Sequence, residues 1–125
     1  MKVMAFITGL LIIAGCDTQS ADPIQEFIPG TYVRFSKHEF GTEWDTLVIS
    51  VQNPIANEYQ ILRKWKYERV LDGQKLDPEY KRVITSGIYN TKEELLRESQ
   101  TLAVYTFDPG RAVLFAGKSE YNKLK

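Results

Sequence analysis

Apolar and polar residues alternate with a period of two along most of the chain after residue 27, and that period predicts strands. Thr31-Tyr32-Val33-Arg34-Phe35-Ser36 places Thr31, Val33 and Phe35 on one face. Asp45–Val51 points Leu47, Ile49 and Val51 inward, and Asn53-Pro54 ends it. Glu58–Leu71 is the longest alternating run, a long strand or two strands joined by a bend. Its odd positions are Tyr59, Ile61, Arg63, Trp65, Tyr67, Arg69 and Leu71; its even positions are Glu58, Gln60, Leu62, Lys64, Lys66, Glu68 and Val70. Asp72-Gly73 is a hairpin signal. Tyr80–Tyr89 reads as a further strand, with Gly87 marking a bulge or a close approach. Glu94–Glu98, Thr101–Phe107 and Arg111–Ala116 follow in the same rhythm, with a tight turn at Asp108-Pro109-Gly110. Ser119–Leu124 reads as a last edge strand.

These segments predict an all-β fold: an antiparallel meander of about seven to eight short strands. Short turns and the lack of long connections favour a small up-and-down barrel or a strongly curled sheet over a Greek-key sandwich.

The first residues follow another pattern. Met1-Lys2 supplies one positive charge, and Val3–Ile13 is an apolar run of eleven residues. A transmembrane helix needs about 20 apolar residues, and Asp17 ends this run early. Ala14 and Gly15 are small, as a cleavage site requires, and Cys16 is the only cysteine of the chain. Ile13-Ala14-Gly15-Cys16 resembles the lipobox of bacterial lipoproteins. The resemblance implies removal of residues 1–15, diacylglycerol on Cys16, and a chain held outside the cytoplasm on a membrane. It also accounts for a lone thiol that would otherwise stand free in an oxidising compartment. Asp17 favours inner-membrane retention in enterobacterial lipoproteins, but other bacteria follow other rules, so inner and outer membrane both stay open. Residues 16–26 are polar, contain Pro23 and show no period, and read as a tether. Residues 27–125 then form a single β domain.

Composition narrows the partners. The chain has 16 Lys plus Arg and 16 Asp plus Glu. Loss of Lys2 with residues 1–15 leaves a net charge of about −1, so no strong overall field recruits nucleic acid or anionic lipid. One His and one Cys exclude a zinc site of the usual Cys/His type, and no cofactor is implied.

Two features resemble known families further. Gly30-Thr31-Tyr32 opens its strand as Gly-x-Trp opens lipocalins, with Tyr32 in the place of tryptophan. Ile28–Val33, Asp45–Ile49, Tyr59–Ile61, Asp72-Gly73 and Tyr121–Leu124 together resemble small lipoproteins of Bacteroidota-type genomes, some encoded near conjugative-transfer genes. That resemblance implies a mobile-element accessory protein and assigns no chemistry.

Candidate chemistry is sparse. His38 and Glu39 lie near Glu43 and Asp45, but a single imidazole without a nucleophile or second ligand fits a polar hairpin tip. Ser36, His38 and Asp45 are the residue types of a triad, with no nucleophile elbow around them. No enzyme is expected. Arg63–Arg69 interleaves basic and aromatic residues, as a nucleic-acid stacking platform would, but a solvated strand face explains it in a near-neutral, extracytoplasmic chain. The odd face, with Tyr59, Arg63, Trp65, Tyr67 and Arg69, is the candidate ligand or partner face. Arginines pointing inward need carboxylates, carbonyls or aromatic rings beside them, and here Trp65 is expected in the core, with Arg63 or Arg69 packed on it or on an adjacent tyrosine. The function expected is a non-enzymatic accessory lipoprotein that binds a protein partner in the cell envelope. A lipocalin-like carrier of a small hydrophobic or anionic molecule is the alternative.

Overall fold

The computed structural model describes residues 22–125. They form one short helix, α1 (Pro23–Phe27), and nine strands: β1 (Gly30–His38), β2 (Gly41–Asn53), β3 (Glu58–Leu71), β4 (Gln74–Lys75), β5 (Glu79–Asn90), β6 (Leu95–Glu98), β7 (Val104–Asp108), β8 (Val113–Ala116) and β9 (Ser119–Lys123). All pairings are antiparallel. β1, β2, β3, β5, β6, β7, β8 and β9 close into an eight-stranded ring, while β4 is a two-residue arm on β3. The meander and the barrel expected from the alternation are present. β9 is no edge, however: Lys123 pairs with Tyr32 and Asn122 with Val33, and this pairing closes the ring.

The turns are those the local chemistry demands. Asp72 and Gly73 both take positive φ, at 51° and 76°, as a two-residue hairpin of matching twist requires. Asn53 and Asn90 each accept two backbone N–H groups through Oδ1, from Ile55 and Ala56 and from Lys92 and Glu93.

The core fills the lower half of the barrel: Ile28, Tyr32, Leu47, Ile49, Tyr59, Ile61, Tyr89, Leu96, Phe107 and Leu114 are buried together. In β1 the interior face is Tyr32 and Arg34, whereas Thr31, Val33 and Phe35 face out, with Phe35 exposed. In β2, Leu47 and Ile49 point inward as expected, but Val51 is half-exposed beside a register shift. Gly87 marks a close approach, since a Cβ there would stand 2.8 Å from the Arg97 carbonyl oxygen.

Residues 23–26, expected as tether, belong to the domain. Asp22 caps α1, its Oδ1 accepting from the N–H of Ile24 (2.9 Å) and Gln25 (3.2 Å), with proline at the first helical position. The same carboxylate accepts from the Tyr89 hydroxyl at 3.1 Å. Ile24 and Phe27 pack on the core and plug this end of the barrel. The Tyr32 hydroxyl shares its one proton between the carbonyls of Phe27 (2.9 Å) and Ile28 (2.8 Å) at the end of the helix. The Lys123 ammonium donates to the Phe27 carbonyl and lies 4.0 Å from the centre of the Phe27 ring. Gly30, at φ 152°, leaves room for the Lys123 stem, which a Cβ would meet at 2.5 Å. The Gly30-Thr31-Tyr32 motif therefore serves the plugged end. The lipobox and Cys16 lie outside the described residues.

Candidate functional site at the barrel mouth

The strands differ in length, and this difference makes the site. β2, β3 and β5 have 13, 14 and 12 residues, while β6 to β9 have four or five. The upper parts of β1, β2, β3 and β5 pair with one another and, at the end of β3, with the two-residue β4, and so stand above the closed ring as a curled overhang. Its concave face carries Arg34, Glu43, Asp45, Arg63, Trp65, Tyr67, Lys81 and Val83, continuing the inward parity of Leu47 and Ile61. The opposite end is plugged by α1, so the barrel is open at this mouth.

The floor of the mouth is a buried polar layer. Asp45 is 3% exposed and accepts from Arg63 Nε at 3.0 Å, Arg63 Nη2 at 2.6 Å and the Tyr121 hydroxyl at 2.8 Å. A carboxylate inside a barrel is costly unless its lone pairs are engaged; here three donors engage them. Hydrogen bonding to Asp45 raises the Arg63 pKa despite partial burial. Burial, and then the bond to Asp45, pushes the Tyr121 phenol up to about 12. A second buried carboxylate, Glu98, accepts from Thr101 Oγ1 at 2.6 Å and the Tyr105 hydroxyl at 2.8 Å. The Tyr105 phenol is also raised, first by burial and then by Glu98.

Arg63 is the hinge between this layer and solvent. Nε and Nη2 are committed to Asp45, half of the side chain is exposed, and Nη1 finds no hydrogen-bond partner among the described residues. Three hollows meet on it. One, of about 720 Å³, runs over Leu47, Tyr105, Phe115 and Tyr121. Another, of about 350 Å³, is lined by Ile61, Val83, Thr85, Glu98 and Tyr105. The third, of about 250 Å³, lies against Trp65, Lys81 and Val83. Above Arg63, the rings of Trp65 and Tyr67 lie 5.6 Å apart, and Lys81 Nζ stands 5.4 Å from the Trp65 ring. Tyr67 lies against Gly41, where a Cβ would meet its hydroxyl oxygen at 3.0 Å. With Arg34 and Glu43 of this face 3.9 Å apart and offsetting each other, the mouth offers the oriented guanidinium edge of Arg63, the Lys81 ammonium and an aromatic wall, a set suited to a carboxylate or phosphate on an amphipathic body.

Of the five residues expected on one functional face, the structure brings Arg63, Trp65 and Tyr67 together. Tyr59 is buried core below them, 4% exposed. Arg69 lies past the hollow and pairs with Glu79 at 2.9 Å, both half-exposed. Trp65 is half-buried rather than core, and its cation is Lys81 from the facing position on β5, not an arginine of its own strand. Asp45, Tyr121, Glu98 and Tyr105 were not singled out for this site by the alternation. Parity held the signal for Asp45, which shares the inward face of Leu47 and Ile49 two and four residues on.

Ser36, His38 and Asp45 do not form a triad. Asp45 faces Arg34 across β1 and is engaged by Arg63 and Tyr121, while His38 is exposed at the strand end, its ring 6.3 Å from that of Tyr67. Among the described residues, no group of three His, Cys, Asp or Glu side chains could hold a metal, and no helix is long and apolar enough to cross a membrane. No protein-family model matches the chain, and neither do curated proteins or solved structures.

Proposed function

We propose that this protein is a non-enzymatic binding module, tethered outside the cytoplasm by a lipidated Cys16, that engages a protein partner of the cell envelope at the barrel mouth. One observation carries the reading: Arg63 is locked by Asp45 yet keeps a free guanidinium edge beside Trp65 and Tyr67. An otherwise packed barrel has no structural need for an open wall of this composition, and Trp, Tyr and Arg are the residues that dominate partner surfaces. An extended segment with an acidic side chain or terminal carboxylate suits it. The likeness to lipoproteins encoded near conjugative-transfer genes suggests an accessory role in such an element, which genomic neighbourhood tests.

The tether is tested by mass spectrometry of membrane-extracted protein, where diacylglyceryl on an N-terminal Cys16 is expected. An intact, unlipidated Met1 form in cells would sink it, and Cys16→Ser should block processing. The partner is tested with a photo-crosslinking amino acid in place of Tyr67 in the full-length chain. A discrete protein adduct, weakened several-fold by Trp65→Ala, is expected. The hollows of about 720 and 350 Å³ favour a second reading, a carrier of a small anionic amphipathic molecule. Native mass spectrometry showing a bound small molecule, with no crosslinked adduct, selects that reading; neither signal overturns both.

A further inference from the structure

We propose that the outer wall of β1, β2, β3 and β5 is a docking face for an anionic lipid surface. The strand register lays the outward side chains in three rows across these strands. The first is Thr31, Val48, Leu62 and Ile84; the second is Val33, Thr46, Lys64 and Arg82; the third is Phe35, Trp44, Lys66 and Tyr80. The three rows hold three cations and no acid, in a chain whose charges balance overall. Apolar side chains that a monomeric wall has no reason to show lie among them: Phe35 is 59%, Tyr80 69% and Ile84 52% exposed. Lys66 Nζ sits 4.6 Å from the Trp44 ring and 6.0 Å from that of Tyr80, and Phe35 packs on Trp44 at 5.5 Å. A groove of about 420 Å³ runs between Trp44, Lys64, Tyr80 and Arg82. Of the bordering acids, Glu68 stands 3.8 Å from Lys66 and offsets part of its charge, so Lys64 and Arg82 carry the positive excess, while Glu120 is held 3.0 Å from Arg111.

The composition selects the occupant. Aromatic rings settle at the headgroup level of a bilayer, while lysine and arginine draw anionic headgroups. A second copy of the chain would set Lys64, Lys66 and Arg82 against their own counterparts. The tether supplies a further argument, which alone rests on the lipid-anchor reading. Five residues lie between Cys16 and Asp22, and the six steps from one to the other span about 20 Å at full extension. A domain held that close can rest its side wall on the bilayer.

The two tryptophans make the test direct, because Trp44 is on the outer wall and Trp65 is at the mouth. Full-length Trp65→Phe protein is mixed with vesicles carrying brominated acyl chains. Quenching of Trp44 is expected to be several-fold stronger in phosphatidylglycerol-rich vesicles than in phosphatidylcholine vesicles, and to fade as salt is raised. Full-length Trp44→Phe protein, reporting Trp65, should show no such difference. The triple reversal Lys64→Glu, Lys66→Glu, Arg82→Glu should abolish it while leaving the circular dichroism spectrum unchanged. Equal quenching in both lipids, or equal quenching of both tryptophans, overturns the proposal. So does a Trp44 response to a soluble acidic polypeptide with none to anionic vesicles, which would make the wall a protein interface. Retention on phosphatidylcholine vesicles reports the acyl tether alone, so failure of the wall and failure of the tether are distinguishable.

Discussion

Arg63 reaches diagonally across two strands to grip Asp45. In the β2–β3 register Asp45 faces Trp65 and Arg63 faces Leu47, yet the guanidinium closes on the carboxylate through Nε at 3.0 Å and Nη2 at 2.6 Å. The diagonal leaves the facing Trp65 free to lean toward Tyr67 and Lys81, which is how one row of β3 serves both a buried ion pair and an open aromatic wall.

This pair holds the mouth in shape. Arg63→Ala leaves the buried Asp45 with only the Tyr121 hydroxyl and is expected to cost about 2–3 kcal/mol, the range for a lost charged hydrogen-bond pair whose cation is half in water. Urea denaturation measures it. The double variant Asp45→Asn, Arg63→Gln should lose clearly less than the sum of the two single changes, because neither partner is left as an orphan charge. Additive losses would refute the coupling.

Trp65 should behave as a wall residue, not a core residue. Trp65→Ala is expected to cost about 1–2 kcal/mol, most of it the contacts with Tyr67 and Lys81. Leu96→Ala, at a fully buried site, should cost about 2–5 kcal/mol. A loss at Trp65 matching that at Leu96 would place the indole in the core.

Gly87 tests strand proximity. Its Cβ position lies 2.8 Å from the Arg97 carbonyl oxygen and 3.2 Å from Ile61 Cδ1. Gly87→Ala must therefore part β5 from β6 or displace Ile61. A loss of about 1–3 kcal/mol is expected; thermal melting at unchanged or raised temperature would show that the contact relaxes without cost.

Alkaline pH should unfold the barrel. Tyr32, Tyr89, Tyr105 and Tyr121 all have phenol pKa values raised above 10.0, chiefly by burial, with Tyr121 at about 12. The folded state therefore holds their protons more tightly than the unfolded chain does. That stabilisation is fully present below pH 10, the unfolded value, and is lost as pH rises through the folded values. Phenolate absorbance should show Tyr32, Tyr89, Tyr105 and Tyr121 silent until the barrel opens. Ionisation of these four without loss of β-sheet circular dichroism would contradict this.

Residues near one another in the chain determined much of this protein. Period-two alternation sets which side chains share a face, and turn signals such as Asp72-Gly73 act over a few residues, so the all-β meander and the grouping of Arg63, Trp65 and Tyr67 were legible in the sequence. The helix capped by Asp22, expected as tether, was not legible, because five helical residues are too few to show a period. Alternation states that residues share a face, not which face turns inward. In β1 the more apolar set, Thr31, Val33 and Phe35, lies outside, because Tyr32 inside reaches the carbonyls of α1 and the core. Tertiary structure alone decided that β9 closes the ring, that unequal strand lengths raise an overhang, and that Asp45 meets Arg63 and Tyr121. Those partners lie 18 and 76 residues from Asp45, and only closing the barrel brings such distant positions into one buried layer.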